Sequence, residues 1–161
     1  MPEIIVIAHN IRSTHNVGAI FRTAEGFGIS KIILTGYTPY PRLFKDTRLP
    51  HIAEKLTKQI SKTALGAEVI VPFEYLEEPP ITALKAAGYR IVGLEQAPNS
   101  ISIAQYTVPE KVVLLLGEEV EGINAELMAQ CEDILEIPMV GKKESFNVSV
   151  ATGIALFSLT Q

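Results

Sequence analysis

The chain has a single cysteine, Cys131, in 161 residues. A lone thiol closes no internal disulfide and suggests a reducing compartment. A chain of this length buries roughly two-thirds of its unfolded surface, so it folds without disulfides or a structural metal. No basic segment precedes an apolar core at the N-terminus, and no run of about 18 apolar residues occurs, which argues against a signal peptide and a membrane span. The expected location is the cytoplasm. Glycine is absent where nucleotide-binding loops need it. Residues 9–16 (HNIRSTHN), behind the first apolar run, contain none, so an ordinary Rossmann dinucleotide site has no phosphate cradle. A GxxxxGK[ST] loop and a GxSxG elbow are also lacking, and His9, His15 and His51 do not have the spacing of a shared metal site.

Positive charge is scarce as well, with a net charge of −4 that on its face opposes binding to phosphates. The average hides an asymmetry: residues 1–62 hold nine of the fourteen Lys and Arg against four acids, whereas 63–161 hold five against fourteen. A basic face on an acidic body follows. At 47% hydrophobic and 20% charged the chain is a well-cored globular protein, which excludes disorder and fibrous architectures.

Short β-branched or apolar runs predict strands at 3–8, 31–35, 68–71, 90–94, 111–116 and 133–137. Helical patterns lie between them at 17–27, 48–65, 75–87, 124–130 and 147–159. Several strands are apolar throughout, as strands covered on both faces must be. The expected fold is α/β, an open and mainly parallel sheet with helices on both faces. Such sheets bind ligands at the carboxyl ends of their strands, so the loops there carry the search for a site.

Three segments stand out. In NIRSTHNVGAIFRTAEGFG (10–28) the residues Val17, Ile20, Phe21, Ala24 and Phe27 form one helical stripe, Asn16 stands where an N-cap belongs, and Arg22 projects to the polar side. A capped helix with a solvated arginine is the plain structural alternative. LLLGEEVEGI (114–123) runs from a buried strand into Gly117 and the carboxylates Glu118, Glu119 and Glu121. Clustered acids can hold Mg²⁺, but such sites usually recruit phosphate or further ligands, and a solvated loop is the alternative. The third segment starts at Ile137 (IPMVGKKESFNVSVATGIAL) and continues to Leu159. It carries no charge after Glu144, and its apolar residues surround the helix, which therefore needs cover on more than one side. At about 15 residues it is too short to span a bilayer. Burial against a second chain is expected.

In this order and spacing the three segments resemble the motifs of the SpoU/TrmH family of RNA 2′-O-methyltransferases, in the SPOUT superfamily. The resemblance covers essentially the whole chain, and it implies that 1–161 is one methyltransferase domain with a C-terminal trefoil knot. It further implies S-adenosylmethionine (AdoMet) as cofactor, a homodimer, and tRNA or rRNA ribose as acceptor. By position, Arg22 corresponds to the family's catalytic arginine, with Asn16, Glu119, Ser145 and Asn147 as the other motif residues. Leu94, Glu95 and Gly117 are implied to hold the cofactor largely through main-chain groups, with Ile137, Met139, Phe146 and Val148 as apolar walls beside Ser145 and Asn147.

The chemistry suits these residue types. Methyl transfer from a sulfonium to a ribose hydroxyl is an in-line displacement that needs orientation and alkoxide stabilisation but no metal. A guanidinium is a poor base, so Arg22 is expected to act as an electrostatic clamp, base action being left open. Neutral Asn and Ser side chains fix substrate and cofactor without repelling a cation. The chain is expected to lack the appended N-terminal RNA-binding module or flanking helices of several relatives, so RNA is expected on the catalytic dimer alone or with help from another protein. Residues 37–62 interleave Tyr37, Tyr40 and Phe44 with cations, and Arg42, Lys45 and Arg48 are the candidate phosphate contacts. An ordinary amphipathic helix after a proline-rich loop is the alternative there. Two rival functions remain: a catalytically silent RNA-binding relative, and a nucleotide-binding oxidoreductase.

Overall fold

The computed structural model describes residues 1–161. In chain order the elements are β1 (Glu3–His9), α1 (Thr14–Gly26), β2 (Lys31–Thr35), α2 (Pro50–Ala64), β3 (Phe73–Leu76), α3 (Ile81–Ala86), β4 (Arg90–Leu94), β5 (Ile101–Ser102), β6 (Lys111–Leu116), α4 (Ala125–Gln130), β7 (Asp133–Glu136) and α5 (Val148–Leu159). The seven strands make one sheet in the order β3-β2-β1-β6-β4-β7-β5, and every pairing is parallel. The expected α/β architecture holds, with the sheet wholly rather than mainly parallel.

Alternation along each strand divides the core in two. Ile4, Val6, Ala8, Val112, Leu114 and Leu116 join the buried residues of α1, α2 and α5 on one face. Ile5, Ile7, Val113 and Leu115 meet Ile81 of α3 and Leu127 of α4 on the other. Both faces being covered explains why KVVLLL has no polar position after its first residue. Each fully buried Ile, Leu or Val side chain contributes about 1.5–3 kcal/mol, and central β1 and β6 each hold more of them than any other element.

Helices α1 and α2 touch through Gly18. A Cβ there would lie 2.1 Å from Thr63 Oγ1 and 2.2 Å from the Ile60 carbonyl oxygen. Thr63 Oγ1 also donates to the His15 carbonyl at 2.8 Å, so the two helices are joined by a backbone-to-side-chain bond as well as by packing.

Three local expectations are corrected. The strand expected at 68–71 is a 3-10 turn at Ala67–Val69, because Glu68 folds back to accept from Ser61 Oγ (2.6 Å) and Gly66 N (3.0 Å), closing the end of α2. The strand forms instead at Phe73–Leu76, where Phe73 pairs with Ile32, and it takes the first residues of the helix expected at 75–87. That helix starts only at Ile81, behind Pro79 and Pro80. The N-cap of α1 is Ser13, not Asn16: its side chain accepts from Asn16 N at 3.2 Å, which frees the Asn16 side chain.

Helix α5 buries Thr152, Ala155, Leu156 and Leu159. Val150, Ile154 and Phe157, on one side at i, i+4 and i+7, remain 51%, 36% and 57% exposed. No helix is long and apolar enough to cross a membrane.

Candidate active site

The adjacent strands β6, β4 and β7 end at one edge of the sheet, and the chain beyond them frames a cleft of about 310 Å³. Its floor is Leu94, Leu116 and Gly117. The loop 118–122 forms one wall, and Ile137, Ser145, Phe146, Val148 and Ala151 form the other. Leu94, Glu95, Gly117, Glu119, Ile137, Ser145, Phe146 and Val148 are therefore brought together as the sequence anticipates. Met139 and Asn147 are not on the lining, and neither are Asn16 and Arg22.

The loop 117–123 has little freedom. Glu118 and Gly122 exchange backbone bonds of 3.1 and 2.8 Å, closing a tight turn. A Cβ on Gly117 would stand 2.5 Å from both Gly122 C and Ile123 N, so only glycine fits. Gly122 has φ +73°, in the left-handed region, and its Cβ would meet Glu95 Oε2 at 1.9 Å. Glu95 braces this turn: its Oε2 accepts from Ile123 N at 3.1 Å and its Oε1 from Gln96 N at 3.0 Å. The Glu95 carboxylate thus supports the loop, while the Glu95 backbone N–H donates to the Leu135 carbonyl at 2.9 Å.

A directed hydrogen-bond chain ties the three sequence segments together beside the cleft. Asn147 caps α5, its Oδ1 accepting from Ser149 N (2.9 Å), Val150 N (3.4 Å) and Ser149 Oγ (2.6 Å). With the oxygen committed, the amide nitrogen must face outward, and it donates to Asn16 Oδ1 at 3.3 Å. Asn16 in turn offers Nδ2 to Glu119 Oε2 at 3.4 Å. Glu119 also accepts from Arg12 N (2.9 Å, Oε1) and Ser13 N (3.3 Å, Oε2), just ahead of α1. Every group facing Glu119 is a donor, which is why an acceptor-only carboxylate stands there. The carboxylate is also well placed for the positive end of the α1 dipole.

The cleft lining carries Glu95, Glu118, Glu119, Glu121, Glu136 and Glu144, and no Lys, Arg or His. Such a surface favours a cation and repels phosphate. Glu136 and Glu144 were not among the residues anticipated from the sequence; the excess of acids after residue 62 was the available signal. No group of three or more His, Cys, Asp or Glu side chains is arranged to hold a metal ion, so Glu118, Glu119 and Glu121 do not converge.

Arg22 is exposed on α1 and makes no ion pair or hydrogen bond. The three cations expected to meet RNA differ. Arg42 and Lys45 are exposed, with Phe44 fully exposed between them. Arg48 is a correction. It pairs with Asp46 (Nη2–Oδ2 2.6 Å, Nε–Oδ1 3.0 Å), donates to the Tyr40 and Pro41 carbonyls at 3.0 and 3.3 Å, and stacks 3.6 Å over the Tyr40 ring. Four of its N–H groups are engaged within the chain, so it organises the loop 37–49. The Arg48 hydrogen bonds hold the Asp46 carboxyl well below its ordinary pKa despite the opposing effect of burial. Burial and the neighbouring Glu132 push the Cys131 thiol up to about 11.

Residues 3–157 match the family model described as the SpoU rRNA Methylase family. The chain is 33% identical over 157 residues to the 23S rRNA (guanosine-2′-O-)-methyltransferase RlmB of Photobacterium profundum, covering 96% of this chain and 58% of that protein. It is 30% identical over 155 residues to the tRNA (guanosine(18)-2′-O)-methyltransferase of Aquifex aeolicus, covering 96% and 67%. The AdoMet-bound rRNA methyltransferase structure from Sinorhizobium meliloti superposes with a TM-score of 0.80 at 27% identity, covering 98% of this chain and 55% of that one. The chain spans little more than half the length of several of these relatives. With nearly all of its own length matched, and the three motif segments hydrogen-bonded together beside one strand-end cleft, the chain belongs to the SpoU rRNA methylase family.

Proposed function

We propose that this protein is an AdoMet-dependent methyltransferase of the ribose 2′-hydroxyl in tRNA or rRNA, with residues 1–161 acting as a single cytoplasmic catalytic domain. The acid-lined cleft at the ends of β6, β4 and β7 carries the reading, because its six carboxylates and absence of cations suit a net-positive ligand. Related proteins described as RNA 2′-O-methyltransferases, and the AdoMet-bound neighbour, supply the chemistry. AdoMet brings an electrophilic methyl on a sulfonium. Leu94, Glu95 and Gly117 would hold it through main-chain groups, with Ile137, Phe146 and Val148 against its apolar parts and Ser145 at its polar end. Displacement leaves a neutral sulfide, so the transfer needs no Lewis acid. The trefoil knot implied by the family belongs to this reading; it is supported by β7 lying between β4 and β5 although it follows both in the chain.

Arg22 lies off its own cleft and is unpaired, while α5 presents Val150, Ile154 and Phe157 uncovered. A two-fold homodimer through that stripe explains both observations: it covers the apolar side and lets Arg22 of one protomer serve the cleft of its partner. There Arg22 stabilises the developing alkoxide or the adjoining phosphate. Arg42 and Lys45 contact the RNA backbone. The test is AdoMet affinity by calorimetry together with transfer of labelled methyl to total RNA, followed by ribose mapping. Arg22→Ala is expected to lower transfer about 100-fold or more with AdoMet affinity unchanged. AdoMet binding without transfer to any RNA would favour the silent relative, and NAD binding in place of AdoMet would favour the oxidoreductase.

A further inference from the structure

A second concavity, about 510 Å³, opens at the carboxyl end of β2 against the start of α1. Arg12, Tyr37, Tyr40, Tyr75 and Gln59 contribute to its lining. Two of these tyrosines are already engaged. Tyr40 and Tyr75 stack with centroids 4.1 Å apart and planes at 14°, and Arg48 covers Tyr40 at 3.6 Å. Two groups that close cannot share one face, so both faces of Tyr40 are taken. Tyr75 spends its hydroxyl on the Gly36 carbonyl at 2.6 Å.

Tyr37 is different. It is half exposed, and the Arg12 guanidinium, drawn to its hydroxyl, lies 6.0 Å from the ring centroid. That gap is far wider than the Arg48–Tyr40 stack. A planar ring held between two faces needs about 7 Å, twice the ordinary contact distance of about 3.5 Å. Arg12 is exposed and carries no ion pair, so its side chain is free to leave the Tyr37 hydroxyl and close over a ring stacked on Tyr37. The slot also has a fixed position relative to the acidic cleft. The Tyr37 hydroxyl faces Glu118, which lines that cleft, and Arg12 N is held by Glu119. Tyr37 N is itself pinned by Asn10 Oδ1 at 3.0 Å, so the ring stands on a fixed base at the boundary between the two concavities.

We propose that the Tyr37–Arg12 slot receives the unstacked base of the nucleotide being methylated. The ring of Tyr37 is the stacking platform, Arg12 closes over the other face, and the Gln59 amide is within the same concavity to meet a base edge. This inference rests on the RNA methyltransferase reading. It adds to that reading a site for the acceptor's base, beside the Glu118 wall of the cofactor cleft. The ribose of a base held here is directed to the boundary at Glu118, where the 2′-hydroxyl can meet the methyl. The phosphates stay outside the acidic cleft, on the side of Arg42 and Lys45.

The test compares wild type, Tyr37→Ala, Tyr37→Phe and Arg12→Ala in methyl transfer to total RNA from cells lacking this protein. AdoMet affinity and thermal melting are measured alongside. Tyr37→Ala is expected to lower kcat/KM for RNA by about 5- to 150-fold, the range for loss of one base–aromatic stack, with AdoMet affinity and melting unchanged. Tyr37→Phe keeps the ring and is expected to retain most of the wild-type value, and Arg12→Ala to give a smaller loss of the same kind. Wild-type kcat/KM in Tyr37→Ala overturns the assignment while leaving RNA methylation intact. Equal damage in Tyr37→Phe and Tyr37→Ala also overturns it, since the hydroxyl beside Glu118 would then be the active element. A wild-type protein that binds AdoMet and methylates no RNA overturns this inference together with the proposed function.

Discussion

Replacing Glu119 by alanine removes the acceptor on which the hydrogen-bond chain Asn147–Asn16–Glu119 ends. Of its three bonds, that from Arg12 N at 2.9 Å has full strength, while those from Ser13 N and Asn16 Nδ2, at 3.3 and 3.4 Å, lie at or beyond the long edge of the usual range. A hydrogen bond to a charged group contributes about 1.5–3 kcal/mol, and the favourable placement at the start of α1 adds about 0.3–1 kcal/mol. Arg12 is exposed and Glu119 only partly buried, so water recovers part of this, and the expected net loss is about 2–3 kcal/mol. For a protein of this size that lowers Tm by about 4–12 °C. Glu119→Gln separates stability from function. Its oxygen can keep the Arg12 bond, but its amide then confronts Asn16 Nδ2, donor against donor. Asn16 cannot turn over without presenting Nδ2 to Asn147 Nδ2, whose own orientation is set by the α5 cap. Glu119→Gln should therefore keep most of the melting temperature and still lose most methyl transfer. Differential scanning calorimetry and transfer assays on both variants decide the matter. Wild-type transfer in Glu119→Gln would refute the directed chain.

Gly117→Ala places a methyl 2.5 Å from backbone atoms of Gly122 and Ile123, so the turn must open; calorimetry should find AdoMet binding lost while the far-UV spectrum of the sheet persists. Phe157→Asp puts a charge in the exposed stripe of α5 and should yield a monomer by light scattering at concentrations where the wild type is dimeric, with transfer lost and AdoMet binding weakened far less. The Asp46 carboxyl is depressed in the folded state by the Arg48 hydrogen bonds, so its contribution to stability is present above the unfolded carboxyl's pKa and is lost as pH falls through the folded value. Wild-type protein should therefore lose relative stability below about pH 4 more steeply than Asp46→Asn, as measured by urea unfolding at a series of pH values.

The strands β2, β4 and β6 lie at the residues their apolar runs indicate, because a strand buried on both faces leaves a continuous signal that no turn chemistry obscures. Where the signal failed, a side chain had competed with the pattern. Val69, Ile70 and Val71 read as a strand, but Glu68 bonds the end of α2 and winds that stretch into a turn, with Val69 and Ile70 left exposed. β5 has two residues and no periodicity to detect. In the site, Gly117 and the third segment were legible because strand ends and an uncharged helix are one-dimensional features. The direction of the Asn147–Asn16–Glu119 chain was not, since its members are up to 131 positions apart and the role of each amide depends on its neighbour. Arg48 misled for a related reason: a cation among aromatics looks the same in sequence whether it faces solvent or, as here, an aspartate two residues away.

The contact at Gly18 has a mechanical meaning. With no side chain on Gly18, α1 and α2 approach closely enough there to leave little deformable matter to absorb a displacement, and the Thr63–His15 bond resists sliding along their common axis. The pair behaves as a stiff plate that carries Arg22 on one member and continues, through the start of the other, into the loop of Arg42 and Lys45. In the proposed reading, a pull on that loop by a bound nucleic acid would be delivered to the arginine without slack, so that engagement of the acceptor and aiming of the Arg22 charge become a single movement.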